Sequence, residues 1–161
     1  MLKRVISGGQ TGADVGGLKA AKESGLETGG MVPKGCLTEL GARPELLTLY
    51  NLVEHESASY VPRTQANVKN SDGTIRFAAN FRSPGEICTL KAIVANDKPY
   101  IDVDVKNPLP ADYVAKWIKE NNIEVLNVAG NRESTYPGIE AFVIKYLKEV
   151  VSHGRTLETV V

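Results

Sequence analysis

The sequence predicts an α/β fold in which helices cover both faces of a mostly parallel, twisted sheet. Two observations predict it: strand-like and helical patterns alternate along the chain, and several strand-like runs end in glycine-bearing turns. No linker, internal repeat or low-complexity segment interrupts this alternation, and 161 residues is a usual size for one domain. We therefore expect residues 1–161 to form a single domain.

The periodicity of apolar residues places the individual elements. In the segment Thr11–Gly25, for example, Val15 and Leu18 recur at helical spacing and Gly25 is a stop signal. The predicted strands are Lys3–Gly9, Glu27–Gly35, Gly73–Asn80, Lys98–Val105 and Ile123–Gly130. The predicted helices are Thr11–Gly25, Ser57–Gly73 (beginning near Pro62), Ser83–Asp97, Pro110–Asn122 and Tyr136–Val151.

Two segments show no clean pattern. Residues 33–59 form a long irregular insert, in which Leu46–Glu54 ("LLTLYNLVE") predicts a short strand. Long loops in compact domains are often functional. The tail "SHGRTLETVV" predicts an edge strand or a frayed end.

The composition excludes several classes of protein. Nineteen basic and nineteen acidic residues cancel, so the wide positive field of a nucleic-acid-binding protein is absent. Cys36 and Cys88 match no metal or redox spacing, which favours free thiols in a reducing compartment, and His55 and His153 have no companion at ligand spacing. Without a signal peptide or an apolar run of membrane-spanning length, we expect a cytoplasmic protein that binds neither membrane nor metal through its own ligands. Its low net charge favours a homo-oligomer.

Three polar turns follow predicted strands: "SGGQTGAD", "NFRSPGE" and "NVAGNRES". In parallel sheets, ligands bind beyond the carboxyl ends of the strands, and the fold brings these turns to one edge. Without a Cβ, the amides of Gly8, Gly9 and Gly12 can meet an anion at the start of a helix. On spacing alone, "GGQTG" predicts a plain tight turn equally well.

Other candidates also carry two interpretations. Arg132 is a natural anion partner or part of a solvated turn, and Lys34 reaches a phosphate or is an exposed loop lysine. Arg63 and Asn67 lie one helical turn apart and face either the site or water. Asp72 binds a ribose or caps a turn. No Ser-His-Asp order, nucleophile elbow or H-E-x-x-H motif is present, which argues against a classical hydrolase.

Four separated motifs together resemble the molybdenum carrier-like family: "ISGGQTGAD", "PKG", "SYVPRTQANVKNSDGT" and "NVAGNRES…PGI". The resemblance runs from Val5 to about Leu147. It implies a Rossmann-like fold, commonly in a homo-oligomer, within a wider group that includes lysine decarboxylase-like proteins and cytokinin-activating phosphoribohydrolases. The family's motifs fall on Gly8–Asp14, Pro33–Gly35, Arg63–Thr74 and Asn127–Ser134.

Two departures from the family pattern stand out. Asp14 is followed by Val15, Gly16 and Gly17 rather than by Arg and an alanine-rich helix. The third turn, usually G-T-x-L-T, here contains Glu86, which would repel an anion. The position of the phosphoribohydrolases' catalytic glutamate is taken by Thr89, so the resemblance does not support that activity.

The first hypothesis is a non-catalytic carrier that holds a phosphate-bearing pterin, such as the molybdenum cofactor, or a related nucleotide-like ligand. The alternatives are an enzyme that cleaves an N-glycosidic bond, with Glu86, Asp14 or Glu133 as its carboxylate, and a non-catalytic nucleotide sensor. The candidate ligand-binding residues are Gly8, Gly9, Gln10, Thr11, Gly12, Asp14, Lys34, Arg63, Asn67, Asp72, Gly73, Thr74, Gly85, Thr89, Asn127, Gly130, Arg132 and Glu133.

Overall fold

A six-stranded parallel sheet lies between two layers of helices in the computed structural model, which describes residues 1–159. The strands are β1 (Arg4–Ile6), β2 (Glu27–Val32), β3 (Leu37–Thr38), β4 (Gly41–Ala42), β5 (Leu52–Glu54), β6 (Gly73–Ala78), β7 (Tyr100–Asp104) and β8 (Val125–Gly130). The helices are α1 (Ala13–Glu23), α2 (Glu45–Tyr50), α3 (Tyr60–Lys69), α4 (Pro84–Asn96), α5 (Ala111–Glu120) and α6 (Ile139–Thr159). The predicted fold class is confirmed.

The strand order is β5-β2-β1-β8-β6-β7, and β3 and β4 form a separate antiparallel hairpin. The last strand of the chain, β8, therefore lies between β1 and β6. In register, Asn127 of β8 pairs with Ile6 on one side and with Thr74 on the other. Because all three strands are parallel, their carboxyl ends and the turns that follow them are neighbours at one edge of the sheet.

Each helical layer buries a different part of the core. On one face, α1 and α5 pack against α6, and Phe77, Leu126 and Leu147 are fully buried there. On the other face, α3 packs against α4 over a smaller cluster of Val68, Ala92 and Ile93. A third cluster joins α1 to α2 and β5.

The segment Leu46–Glu54 is not one strand, as its apolar run predicted. Leu46 and Tyr50 are buried one helical turn apart in α2, and left-handed Asn51 (φ 56°) ends that helix. Only Leu52–Glu54 then pair with β2, as β5. Helical spacing was hidden inside a continuous apolar run, which periodicity alone does not resolve.

The prediction of an edge strand or frayed end in the tail is wrong for residues 152–159. The helix α6 continues to Thr159, because Val150 and Val151 stay buried and Leu157 packs against the same core. The last two residues of the tail, 160 and 161, lie outside the described part of the chain. Among residues 1–159, no helix has the length and apolar character needed to cross a membrane.

Candidate functional site

A cleft of about 530 Å³ lies at the carboxyl edge of the sheet. Its walls come from the β1–α1, β6–α4 and β8–α6 turns, which the sequence predicted to converge, and from one face of α3. The candidate residues that line it are Gly8, Gln10, Asp14, Arg63, Asn67, Gly85, Thr89, Asn127, Gly130 and Arg132.

A buried ion pair forms one wall of the cleft. Asp14 Oδ2 lies 3.3 Å from Arg63 Nη1 and accepts a hydrogen bond from the Gln10 amide at 3.2 Å. The guanidinium lies directly over Gly8, so a side chain at this position would displace Arg63. Burial raises the pKa of Asp14 to about 6, although the Arg63 charge opposes the shift, and the nearby charge of Glu86 adds to it.

Two buried donors in this wall have no partner among the described residues: Gln10 Nε2 and Arg63 Nε. The side-chain amide of Gln10 is held in place because its Oε1 accepts hydrogen bonds from the backbone N–H of Thr11 (3.0 Å) and of Glu39 (2.9 Å). A buried donor without an acceptor typically costs about 1–3 kcal/mol. These two atoms therefore mark where a ligand's acceptor oxygens would be stabilised.

Three backbone amides of the first glycine turn, next to the candidate glycines, donate within the protein. The Gln10 amide donates to Asp14, the Thr11 amide donates to Gln10 Oε1, and the Ala13 amide donates to the Asn131 carbonyl at 3.1 Å. The Asp14 carboxylate therefore takes the backbone N–H of Gln10. Gly9 is needed for its backbone conformation and for packing, because its φ is 73° and a Cβ would lie 2.8 Å from Val32 Cγ1.

The third turn places a second buried carboxylate in the cleft. Glu86 is 4% exposed, and its Oε2 accepts from Asn131 Nδ2 at 3.0 Å and from the Ser83 hydroxyl. Its backbone carbonyl accepts from Arg76 Nη1 at 2.9 Å. The sequence singled out Glu86 as a departure from the family's usual turn and as a candidate catalytic carboxylate, but did not include it among the ligand-binding residues.

An aromatic ring stands at the rim of the cleft, at the start of α3. The guanidiniums of Arg63 and of exposed Arg132 lie 5.3 Å and 5.2 Å from the centre of the Tyr60 ring. An aromatic ring attracts a guanidinium at this distance through a cation–π interaction. Sequence reasoning missed this role of Tyr60, and its position one helical turn before Arg63 and Thr64 was the only indication.

Four candidates lie away from the cleft. Asp72 Oδ2 accepts from the amides of Glu124 (3.0 Å) and Val125 (2.8 Å), at the amino end of β8. Gly73 and Thr74 begin β6 at that same edge, because a parallel strand starts on the side opposite to its ligand-binding end. Lys34 is exposed after β2, and it is not among the residues that line the cleft.

The side chains of two other candidates are used within the protein. Both carboxylate oxygens of Glu133 accept amides at the start of α6, from Gly138 (2.7 Å) and Glu140 (3.0 Å). The amide of Asn67 makes two hydrogen bonds to the backbone of Met31 on β2, at 2.8 Å and 3.0 Å. Asn67 thus fastens α3 to the sheet beside the cleft.

A shallow depression adjoins the cleft and contains the remaining candidates, Thr11 and Gly12. Here Glu39, from the turn between β3 and β4, contacts the Thr11 hydroxyl and accepts from the Ser134 amide at 3.3 Å. The hairpin is thereby tied to two of the glycine turns. Within residues 1–159, no group of three His, Cys, Asp or Glu side chains is arranged to hold a metal ion.

The parallel sheet and its carboxyl-edge cleft define a Rossmann-like α/β protein. Residues 5–151 match the circularly permutated YpsA SLOG family (cpYpsA), and the chain belongs to this family. A solved structure at 1.45 Å from Syntrophus aciditrophicus, named "Putative molybdenum carrier protein", is 33% identical, with a TM-score of 0.84. The match covers 93% of this chain and 95% of that one. These findings confirm the predicted family resemblance. No curated protein sequence matches the chain significantly.

Proposed function

We propose that this protein is a carrier that binds a phosphate-bearing heterocycle of the molybdenum-cofactor type in the carboxyl-edge cleft. One observation carries the proposal: the buried donors Gln10 Nε2 and Arg63 Nε in the cleft wall lack any partner in the described chain. Phosphate oxygens would satisfy both atoms. The family and the name of the similar structure support the carrier role.

The residues present fit a ligand with an anionic end and a polar ring. Arg63 and Arg132 supply positive charge beside the Tyr60 ring, and a guanidinium binds phosphate through a planar fork of donors. Asn127 lines the floor and gives one amide hydrogen to Thr74 at 3.2 Å, which leaves its carbonyl oxygen for a ring N–H. The metal would travel as part of this ligand.

The test begins with native mass spectrometry of the protein purified from cells, followed by calorimetric titration with molybdopterin-type ligands and nucleoside monophosphates. Arg132→Ala is the informative variant, because Arg132 is exposed and carries no structural hydrogen bond from its side chain in the described residues. We expect it to weaken binding about tenfold, the loss of one charge-assisted contact. Lys116→Ala, at an exposed cation of α5 away from the cleft, is the control. Equal affinities for the two variants would contradict the assignment of Arg132, and no ligand binding at all would contradict the proposal.

A second candidate is hydrolysis of an N-glycosidic bond. It is favoured by two buried carboxylates in one cleft, of which Asp14 has a pKa near neutrality and can act as a general acid. Water would add to the ribose carbon as the base leaves with a proton, giving ribose 5-phosphate and free base. Incubation with nucleoside monophosphates, followed by chromatography for the free base, tests this activity, and intact nucleotides would exclude it for those substrates.

A homo-oligomeric state and a cytoplasmic location are also part of the proposal. Both rest on the family resemblance and on the composition. Light scattering of the purified protein and fluorescence localisation in cells would test them.

A further inference from the structure

Glu86 has a place in the cleft that phosphate binding does not explain. Its carboxylate is buried and forms no ion pair among the described residues. The guanidinium of Arg76 donates a hydrogen bond to the backbone carbonyl of Glu86 and not to its carboxylate. Its other two nitrogens donate to the two carboxylate oxygens of Asp102, at 2.7 Å and 2.6 Å. A buried carboxylate without a cation is costly unless hydrogen-bond donors surround it.

The surrounding donors are incomplete. Ser83 and Asn131 both donate to Oε2, and no hydrogen bond reaches Oε1 from the described part of the chain. Asp14 shows the same asymmetry, since Gln10 and Arg63 both donate to Oδ2 and none of the described donors reaches Oδ1. The cleft thus presents two carboxylate oxygens that are ready to accept hydrogen bonds.

Glu86 also keeps phosphate away from the α4 turn. The amino end of a helix ordinarily attracts an anion, but here Glu86 already lies in the first turn of α4 and is itself favoured there. A phosphate beside Glu86 would meet a like charge that no cation offsets, whereas the charge of Asp14 is offset by Arg63 at 3.3 Å. The phosphate is therefore left to Arg63 and Arg132, and the α4 side of the cleft is left to the ring of the ligand.

We propose that Glu86 is the specificity-determining residue of the cleft and selects a ring with a 2-amino lactam edge, which presents an N–H and an NH₂ group side by side. Guanine and the pterins share this edge. Glu86 Oε1 accepts from one of the two donors, and Asp14 Oδ1 is available to the other. Hypoxanthine lacks the amino group, so it leaves one buried acceptor without a partner. This inference rests on the proposed ligand-binding function.

The experiment is calorimetric titration at pH 7.5 with GMP, IMP, neopterin monophosphate and ribose 5-phosphate. We expect GMP to bind about tenfold or more tightly than IMP, because a site built to pair with a polar group discriminates strongly against its absence. In Glu86→Gln, an isosteric change that replaces an acceptor by a donor, the gap should shrink to about twofold or less. Glu120→Gln, at an exposed glutamate of α5, should keep the full gap.

The probes separate the two ring sources and the two proposals. Tighter binding of neopterin monophosphate than of GMP, with both ligands weakened in Glu86→Gln, assigns the site to a pterin, and the reverse order assigns it to a guanine nucleotide. Equal affinities of the wild type for GMP and IMP, with ribose 5-phosphate also bound, would overturn the role of Glu86 and leave the phosphate site standing. If no probe binds, the proposed function fails together with the inference. Should Glu86→Gln not fold, the GMP-to-IMP ratio of the wild type decides alone.

Discussion

Asp14 and Arg63 form an ion pair in which both side chains are about nine-tenths buried, with 7% and 11% exposure. The sequence predicted that both residues line the site, because one follows a strand-ending glycine turn and the other lies in a family motif. It did not predict that they would pair with each other. Contacts between residues 49 positions apart depend on how α3 crosses the sheet, which local patterns do not contain.

For Glu86, the sequence predicted the local structure but not the tertiary contact. Its helix start was predicted, since Pro84 and Gly85 signal the entrance of α4. Its burial against Asn131 was not predicted, because a polar residue in a helix's first turn ordinarily faces water. Only packing of the β8–α6 turn against α4 turns it inward.

The raised pKa of Asp14 makes a prediction about stability and pH. The folded-state pKa of about 6 lies above the ordinary value of 3.8, so the folded protein holds a proton that the unfolded chain releases between these values. This contribution to stability is complete below about pH 4 and is lost as the pH rises through 6, a change of about 3 kcal/mol at most. In Asp14→Asn that loss is absent. We therefore expect the free energy of unfolding of the variant, relative to wild type, to increase steadily from pH 4 to pH 7.

Urea unfolding at one-unit pH intervals measures this difference. Asp112→Asn, at an exposed position in α5, is the matched control and should track the wild type closely across the range. A constant offset between Asp14→Asn and wild type would show that the Asp14 carboxyl titrates as it does in the unfolded chain. The arginine partner does not complicate the comparison, since a guanidinium stays charged throughout.

At the scale of elements, the positions of ten of the helices and strands followed from periodicity and stop signals. The element that was misassigned, α2, is only six residues long and lies within the irregular insert. The apolar residues of Leu46–Glu54 belong first to this helix and then to β5, all within nine positions. Neither the helical nor the strand periodicity therefore repeats often enough to be recognised. The first turn of α4 is also fixed by tertiary contacts. Arg76 of β6 donates a hydrogen bond to the Glu86 carbonyl, and Asp102 of β7 pairs with Arg76.

Arg76→Met tests how much these Arg76 contacts stabilise the packing of α4 against β6 and β7. The side chain of Arg76 is 4% exposed and that of Asp102 is 35% exposed. Removing the guanidinium leaves one carboxylate and one carbonyl without donors, and we expect a loss of about 2–4 kcal/mol, discounted because Asp102 is partly solvated. The double variant Arg76→Met, Asp102→Leu should recover part of this loss, since it removes the unpaired charge.

Urea midpoints of the two single variants and the double variant give the coupling between Arg76 and Asp102. Lys3→Met is the control for a surface ion pair, because Lys3 and Glu124 are paired at 2.9 Å but both well exposed, and its midpoint should match that of the wild type. If Arg76→Met behaved like Lys3→Met, the Arg76–Asp102 fork would contribute nothing to holding α4.

At the scale of the whole molecule, the shared edge of the three turns was predictable and the strand order was not. The convergence follows from a rule about parallel sheets. The insertion of β8 between β1 and β6 is one of several pairings that the same strands allow, and no local pattern in the sequence distinguishes among them. The site is therefore assembled from residues 8 to 135, and almost the whole chain must fold before the cleft exists.

This assembly predicts that the chain unfolds in one cooperative transition. The two main clusters share α1: Ala13, Ala20 and Ala21 lie in the cluster under α6, whereas Leu18 lies in the cluster with α2 and β5. Trp117 packs against the first cluster, and Cys36, 4% exposed, lies in the second. Loss of either cluster would expose apolar residues on one side of α1 to water. We therefore expect neither cluster to stay folded when the other unfolds.

Two probes in one urea titration measure this cooperativity: the fluorescence of Trp117, and pulsed labelling of Cys36 in a Cys88→Ser background that leaves a single thiol. Coincident midpoints are expected, because exposure of the Cys36 thiol and loss of the Trp117 environment report the same event. Labelling of the fully unfolded chain at about 8 M urea calibrates complete exposure. Reaction of Cys36 at urea concentrations where Trp117 is still native would show that β5 and α2 unfold as a separate unit, and that residues 1–161 do not act as one domain.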